Sequence, residues 1–365
     1  MERRTILGGV GVAGVVAGGA GGVAAWACQG KTDWADAGTE LRRPIPAGLT
    51  GRAALLELVR CATLAPNSHN TQPWRFGVSA AEITIAPDLS RRTPIVDPDD
   101  HHLYVSLGAA AENIVQAAPT LGLAAAVSFE PAGAGVIRIA LVPGDRAFPA
   151  MASAIFRRQF TRSLYDGRPV PAADVRMLLQ AARSDVVVVT ERAAIADLSA
   201  TIIAANAAQF SNPDFITELK HWLRFSYPDA LASQDGLFAA TAGSPALPAG
   251  LGRAMFDLVV SAGSEGRKYA DQIASSSGLA IFMSAIDDRT HWVAAGRAFE
   301  RFALQATALG IRLALVNQAV EVAAFRPRLA EQLDRSGQRP DLVVRFGYAL
   351  DMPWSLRRPV GDVLG

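Results

Sequence analysis

The sequence predicts an α+β protein of two tandem halves packed as an intrachain pseudo-dimer, with a helical lid inserted in the second half. Three observations predict it: a long helix that occurs twice, an arginine-proline lead that occurs twice, and a surplus of residues in the second copy.

The lead "RPIP" at Arg43 to Pro46 returns as "RPVP" at Arg168 to Pro171, each ahead of a short helical pattern. "LLELVRCA" from Leu55 matches "VRMLLQAA" from Val175, an offset of 120 residues. In the first copy a polar loop follows, with a strand starting near Trp74; in the second, Val186 to Val189 reads as a strand. The long helix comes next. "LGAAAENIVQAAPTLGLA" from Leu107 aligns without gaps with "AGRAFERFALQATALGIR" from Ala295, pairing Gly108 with Gly296, Glu112 with Glu300 and Gly122 with Gly310 at an offset of 188. Trp292, Ala295, Phe299, Phe302, Ala306 and Leu309 recur at helical spacing, and Gly310 stands where a left-handed cap ends a helix. The offset grows from 120 to 188, so the second copy holds 68 extra residues between the Val186 to Val189 strand and Trp292. Trp222, Phe225, Tyr227 and Phe238 anchor this insertion, which reads as helices folded over something, with an ornament on the outside as the alternative. The expected organisation is 1–27 as an export signal, 42–149 as the first half and 150–365 as the second, with the lid at about 206–275.

The first 27 residues are a separate object. Arg3-Arg4, Thr5 and a Gly/Ala/Val run resemble a twin-arginine signal, with Ala25-Trp26-Ala27 as the peptidase site and Cys28 first in the mature chain. The expectation is export to the periplasm or the membrane by the twin-arginine machinery, with lipidation of Cys28 or a retained anchor left open.

Composition narrows the function. A net charge of +1 offers no global field for nucleic acid. Cys28 and Cys61 are too few for a disulfide framework, and His69, His101, His102, His221 and His291 lack metal spacing. Adjacent His101 and His102 are expected to point apart, so no metal site is expected. No Gly-rich dinucleotide or phosphate-loop motif occurs, and no Ser/His/Asp or Cys/His set points to hydrolysis. No catalytic residue is assigned.

Two features remain. The loop "NSHNTQPWRF", residues 67 to 76, holds more small hydrogen-bonding side chains than a turn needs. Arg157, Arg158 and Arg162 open the second half and Arg357-Arg358 end it, which permits a phosphate clamp of paired donors. Together with "DPDDHHLYVSLGAAAENI", "LVNQAVE" and "RFGYALDMPWSLRRPVGDVL", these stretches resemble the nitroreductase superfamily of FMN-dependent oxidoreductases. The likeness is greatest to its Acg-like branch, with two fused halves and an inserted lid, and runs from about Arg42 to Leu364.

The resemblance implies the nitroreductase fold and FMN as cofactor, with NAD(P)H and a small organic acceptor as partners in a ping-pong cycle. It implies Arg158, Arg162, Arg357 and Arg358 on the phosphate, Asn67, Ser68, Asn70 and Gln72 reaching toward the ring from the other half, and Asn317 and Gln318 beside the ring. The family has a hydroxyl or Asn where this chain has Phe160, with Thr161 as the expected substitute. Because the loop occurs only in the first half and the clamp only in the second, one flavin per chain is expected, in a monomer acting as a pseudo-dimer. The alternative is a flavin-sequestering or sensing protein whose lid prevents turnover.

Overall fold

The computed structural model describes residues 29–365, so the export-signal reading of residues 1–27 lies outside the described residues, as does Cys28. Two four-stranded antiparallel sheets flank a central pair of helices, His101–Ala117 and Arg289–Ala308. The first sheet holds β1 (Trp74–Val78), β2 (Glu82–Pro87), β3 (Leu123–Glu130) and β4 (Val136–Pro143) in the order β1-β2-β4-β3. In the insertion β6 (Leu223–Arg224) and β7 (Leu237–Phe238) form a short parallel pair. The second sheet holds β5 (Val186–Val189), β8 (Gly278–Ser284), β9 (Arg312–Leu315) and β10 (Arg339–Gly347) in the order β5-β8-β10-β9. In each sheet the central helix follows the second strand, and the strand order is first, second, fourth, third.

The sheets differ in what covers them. Along β3, half-buried and exposed residues alternate, as expected of a sheet with one wet face. Every residue of β8 and β10 is buried. The insertion causes this: Ile195, Leu198, Ile202, Ala205 and Ile273 from its helices Arg192–Phe210 and Ala262–Ala274 pack on Leu279, Ile281, Met283 and Val343. In the first sheet, β1 and β2 are joined by a turn closed by Ser79 N donating to Glu82 O at 3.0 Å. In the second, the whole insertion stands between β5 and β8.

The central helices approach so closely that glycine is required at two points. A Cβ on Gly108 would collide with the carbonyl oxygen of Val293, and one on Gly296 with that of Val105. These contacts are reciprocal at the offset of 188 read from the sequence. A second reciprocity lies beside them. Asn113 Nδ2 donates to Cys61 O at 3.0 Å at the end of helix Gly51–Thr63, and Arg301 Nε donates to Ala181 O at 3.0 Å at the end of helix Ala172–Ala182. Asn113 and Arg301 are 188 residues apart, and the two carbonyls 120.

The ends of the chain cross between the sheets. Leu364 bridges Phe76 at the β1 edge, while Phe160 bridges Leu313 at the β9 edge. The tail thereby carries Arg357 onto the C-terminal end of helix Gly51–Thr63.

Filling this crossing should cost what overpacking a tight core costs, about 1–3 kcal/mol for Gly108→Ala and likewise for Gly296→Ala. Gly250→Ala, on a helix with open space around it, should instead add about 0.5–1 kcal/mol. Denaturant unfolding reads all three, and a parental midpoint in both crossing variants would refute the close approach.

Candidate functional site

The polar loop leaves helix Gly51–Thr63 in a strained path. His69, Asn70 and Gln72 have φ of 47°, 55° and 55°, left-handed values that cost non-glycine residues free energy. Specific bonds hold them. Asn67 Oδ1 accepts from Gln72 N at 2.8 Å. Asn70 Nδ2 donates to Gly236 O at 3.1 Å and to Leu356 O at 3.3 Å, while Gly236 N donates back to Asn70 O at 3.1 Å. Gln72 Nε2 donates to Gln234 O at 2.8 Å, and its Oε1 accepts from Arg358 N at 2.8 Å. The loop therefore splices the insertion and the C-terminal tail to the first sheet.

A cavity of about 460 Å³ opens beside it. Pro66 to His69 form one wall; His102, Val105 and Ser106 come from the start of helix His101–Ala117, and Phe160, Arg162, Leu315, Asn317 and Gln318 from the side of the second sheet. The insertion closes it with Phe225, Phe238, Met255, Phe256 and Tyr269 among others. At one end a recess of about 50 Å³ shares Asn67, Phe160 and Arg162 with the cavity and ends on Arg42, Arg158 and Arg357.

The recess concentrates positive charge. Arg42, Arg158 and Arg357 are all buried. Arg357 Nε donates to Thr63 O at 2.6 Å and its Nη2 to Ala65 O at 3.2 Å; Arg158 Nη2 donates to Leu64 O at 2.5 Å. These bonds satisfy the exposed carbonyls of a helix end. Among the described residues Arg42 Nε and Nη1 have no partner, and Arg158 Nε has no hydrogen bond, only an ion-pair contact. Burial pulls the Arg357 pKa down to about 9, with Arg158 adding to the fall and Glu300 opposing it. Burial also holds Arg42 well below the usual range, assisted by Arg357 and Arg158. Guanidinium still keeps its proton at neutral pH, so the recess is a cationic site facing one buried carboxylate. That carboxylate is Glu300, with Oε1 3.3 Å from Arg158 Nε, and burial raises its pKa to about 7 although Arg158 pulls the other way. Buried N–H groups without acceptors, beside a larger cavity, are chemistry suited to an anion with a body attached.

A polar chain enters the cavity from behind. His102 lines it, and His102 Nδ1 is 2.9 Å from His101 Nδ1, whose Nε2 is 3.0 Å from Asp341 Oδ1. The expectation that these histidines point apart is therefore corrected: both stand in the first turn of their helix, ring against ring at 4.8 Å between centroids. Asp97 lies close enough for three donor atoms to fall within 4.8 Å of one another, but its oxygens accept from His102 N and Leu103 N at 3.0 Å, and the two Nδ1 atoms face each other.

Of the residues singled out from sequence, Arg158, Arg162, Arg357, Asn67, Ser68, Asn70, Asn317 and Gln318 line the cavity or its recess. Gln72 and Arg358 do not. Gln72 is fully buried with both amide atoms engaged, and the Arg358 side chain turns away to bond Asp362 O at 2.6 Å. Thr161 is a further correction, since it is buried with its N donating to Leu313 O while Phe160 takes the cavity wall. Arg42, His102 and Glu300 were missed. The equivalence of Glu300 with Glu112 in the repeated helix was the one available signal.

No protein-family model matches the chain. Two relatives from Mycobacterium tuberculosis, "Putative NAD(P)H nitroreductase Rv3131" of strain H37Rv and its counterpart MT3217 of strain CDC 1551, are 29% identical over 300 residues, spanning 79% of this chain and 83% of theirs. The chain is a homologue of these two proteins. Solved structures with which it shares features include the FMN-dependent nitroreductase NfnB from Mycobacterium smegmatis in complex with NADPH, 17% identical, covering 58% of this chain and 96% of that one at a TM-score of 0.38. A nitroreductase with bound FMN from Bacteroides fragilis is 16% identical over 57% and 96%, at 0.36. These superpositions are shallow, and the homology rests on the sequence relatives.

Burial pushes the Glu300 pKa to about 7 in the folded chain, against an ordinary 4.5. Between those values the folded chain keeps a proton that the unfolded chain has released, so stability is full below 4.5 and falls as pH rises through 7. Glu300→Gln should remove this share, on the order of 2–3 kcal/mol, leaving a shallower decline due to Asp341 and Glu321, which are raised in the same direction. Unfolding free energies at either end of the window test it, and an unchanged slope would show that Glu300 is ionised throughout.

Proposed function

We propose that the chain is an FMN-dependent oxidoreductase of nitroreductase type that takes electrons from NAD(P)H and reduces a small organic acceptor by two electrons. The observation that carries this reading is the recess of three buried arginines, two of them with N–H groups that make no hydrogen bond among the described residues, opening into a cavity walled from both sheets. FMN, when bound, supplies the electron transfer, and the protein supplies orientation and exclusion of water.

In this reading Arg42 and Arg158 hold the phosphate, while Arg357 fixes the recess through its bonds to the helix end. Arg162, for which no hydrogen-bond partner is found among the described residues, reaches along the shared wall. Asn317 and Gln318 flank the ring, and the Gln318 Oε1 acceptor has no partner within the protein. Asn67 and Ser68 form the opposite wall, whereas Asn70 and Gln72 serve as splices for the lid. NAD(P)H and acceptor use the same space in turn. Residues 42–149 and 150–365 act as tandem halves of a fused repeat, a reading supported by the reciprocal glycines. One flavin is bound per chain, a reading supported by Arg301, which occupies the corresponding helix end in the second half by bonding Ala181 O and Ala182 O and pairing with Glu112. Arg3-Arg4 at the head of the chain support twin-arginine export.

One feature favours the sequestering alternative. Asp235 of the insertion is gripped by Arg91 and Arg224, and Glu218 accepts from Ile95 N and Val96 N at 3.0 Å, so the lid is latched to the body. Asp235→Ala should speed bleaching of bound flavin by NAD(P)H in stopped flow if the latch limits entry. Fast bleaching in the parent would remove the sequestering reading.

Purified protein should show a flavin absorbance band. Losing one partner of a desolvated charged hydrogen bond costs about 2–5 kcal/mol, so Arg42→Ala or Arg158→Ala should weaken FMN by roughly one to three decades. Riboflavin lacks the phosphate and should bind these variants as it binds the parent, while Gln318→Ala should weaken both ligands. Equal losses of FMN and riboflavin in the arginine variants would sink the phosphate assignment.

A further inference from the structure

We propose that Asp341, His101 and His102 form a one-proton store wired to the cavity, which delivers the proton consumed when the acceptor is reduced. This rests on the oxidoreductase reading. The overall balance requires such a proton: NAD(P)H, acceptor and H⁺ give NAD(P)⁺ and the acceptor carrying two added hydrogens. NAD(P)H brings both electrons and one hydrogen. The other hydrogen must come from water, and the latched insertion covers the cavity.

The hydrogen-bond geometry fixes where each proton sits. Val343 N donates to Asn317 Oδ1 at 2.8 Å, so the amide turns Nδ2 toward His102 Nε2, 3.1 Å away. His102 Nε2 is then an acceptor, and its proton is on Nδ1, pointing at His101 Nδ1. His101 in turn carries its proton on Nε2 and donates to Asp341 Oδ1. Ser284 Oγ donates to Asp341 Oδ2. This is the discharged state, with two neutral imidazoles and a carboxylate.

Adding one proton at Asp341 reverses the whole row. The carboxylic acid donates to His101 Nε2, His101 Nδ1–H donates to His102 Nδ1, and His102 now carries its proton on Nε2, on the side of Glu321 Oε1 at 3.9 Å, which requires the Asn317 amide donor to move away from that nitrogen. Discharge runs the other way. The proton on His102 Nε2 leaves to the acceptor, the one on His101 Nδ1 passes to His102 Nδ1, and the one on Asp341 passes to His101 Nε2. Neither ring needs to be charged in either state, which suits the burial of His101, whereas at His102 the neighbouring acids Asp97 and Glu321 work against a neutral ring.

The surrounding charges favour the assignment at Asp341 and His101 and oppose it at His102. Burial raises Asp341 to about 7 although Ser284 and Arg339 lower it, and burial holds His101 well below the ordinary range, with His102 and Arg339 adding to the fall and Asp97 and Asp99 opposing it. Asp341 is therefore the member that changes charge near neutrality. Burial pushes His102 down, but Asp97, Glu321 and Asp99 outweigh it and raise its basicity. Asp97 Oδ1 lies 3.6 Å from His102 Nδ1, farther than the 2.9 Å to His101, so the shorter contact takes the Nδ1 proton. His69 also faces His102, Arg339 Nε lies 3.7 Å from Asp341, Asp287 stands behind, and Trp292 packs edge-on against His101.

Nitrogen-15 NMR of the full chain, labelled at histidine and without added flavin, reads the tautomers directly. Above the Asp341 midpoint of about 7, His102 should hold its proton on Nδ1 and His101 on Nε2; below it, both should switch together and stay neutral. In Asp341→Asn neither ring should switch. Separate titration to imidazolium, or fixed tautomers across the range in the parent, would overturn the store. In FMN-loaded protein, Asp341→Asn should slow the acceptor half-reaction by about 100-fold, with His102→Gln as the second variant should the first fold poorly. Parental acceptor rates in either variant would also overturn it. Failure to bind flavin would instead remove the oxidoreductase reading and leave the tautomer result to stand alone.

Discussion

The contact on which the rest depends is the crossing of helices His101–Ala117 and Arg289–Ala308 at Gly108 and Gly296. Each glycine admits a backbone carbonyl of the partner helix where any side chain would collide. The close approach brings the first turn of one helix, with His101 and His102, against Trp292 of the other and within reach of Asp341 and Asn317 from the second sheet. It also aligns the side chains that cap helix Gly51–Thr63, so the arginines of the recess have fixed carbonyls to grip. Helices farther apart would leave neither the cavity wall nor the histidine row in register.

The insertion then breaks the symmetry that the crossing creates. Its first and last helices pave the outer face of the second sheet, which explains the unbroken burial of β8 and β10. Its middle section, from Trp222 to Phe256, turns over the cavity and is spliced to the polar loop. Three left-handed residues in that loop carry strain that the bonds from Asn70 and Gln72 repay. Those side chains hold the 234–236 segment and the C-terminal tail to the loop together, which accounts for so many small polar residues in one loop.

Much of this was legible in the sequence, and the failures have physical causes. The offsets of 120 and 188 appear in space in one pair of matched hydrogen bonds, from Asn113 to Cys61 and from Arg301 to Ala181. Gln72 and Arg358 were misjudged because a side chain that bonds backbone and one that faces a ligand need the same donors, and sequence does not record which backbone arrives. Arg42 was hidden because a lone arginine before an arginine-proline lead has no distinguishing periodicity. His101 and His102 were expected to diverge because neighbours on an ideal helix do; in the first turn, with Asp97 binding the free N–H groups, the two rings meet instead.

The recess shows how a nearly neutral chain can hold concentrated charge. Three guanidinium groups out of water are costly, and the helix-end carbonyls they bind offset only part of that cost, since several of their N–H groups remain unpaired. The single nearby carboxylate does not balance them, because Glu300 is itself held toward its neutral form by burial. One end of the cavity therefore carries uncompensated positive charge, suited to an anionic group with several acceptor oxygens. The cavity beside it, lined by aromatic residues and amides, then selects what is attached to that anion. The same burial that makes the arginines demand a partner raises Asp341 to about 7 behind the cavity wall, where His101 and His102 connect it to the lining.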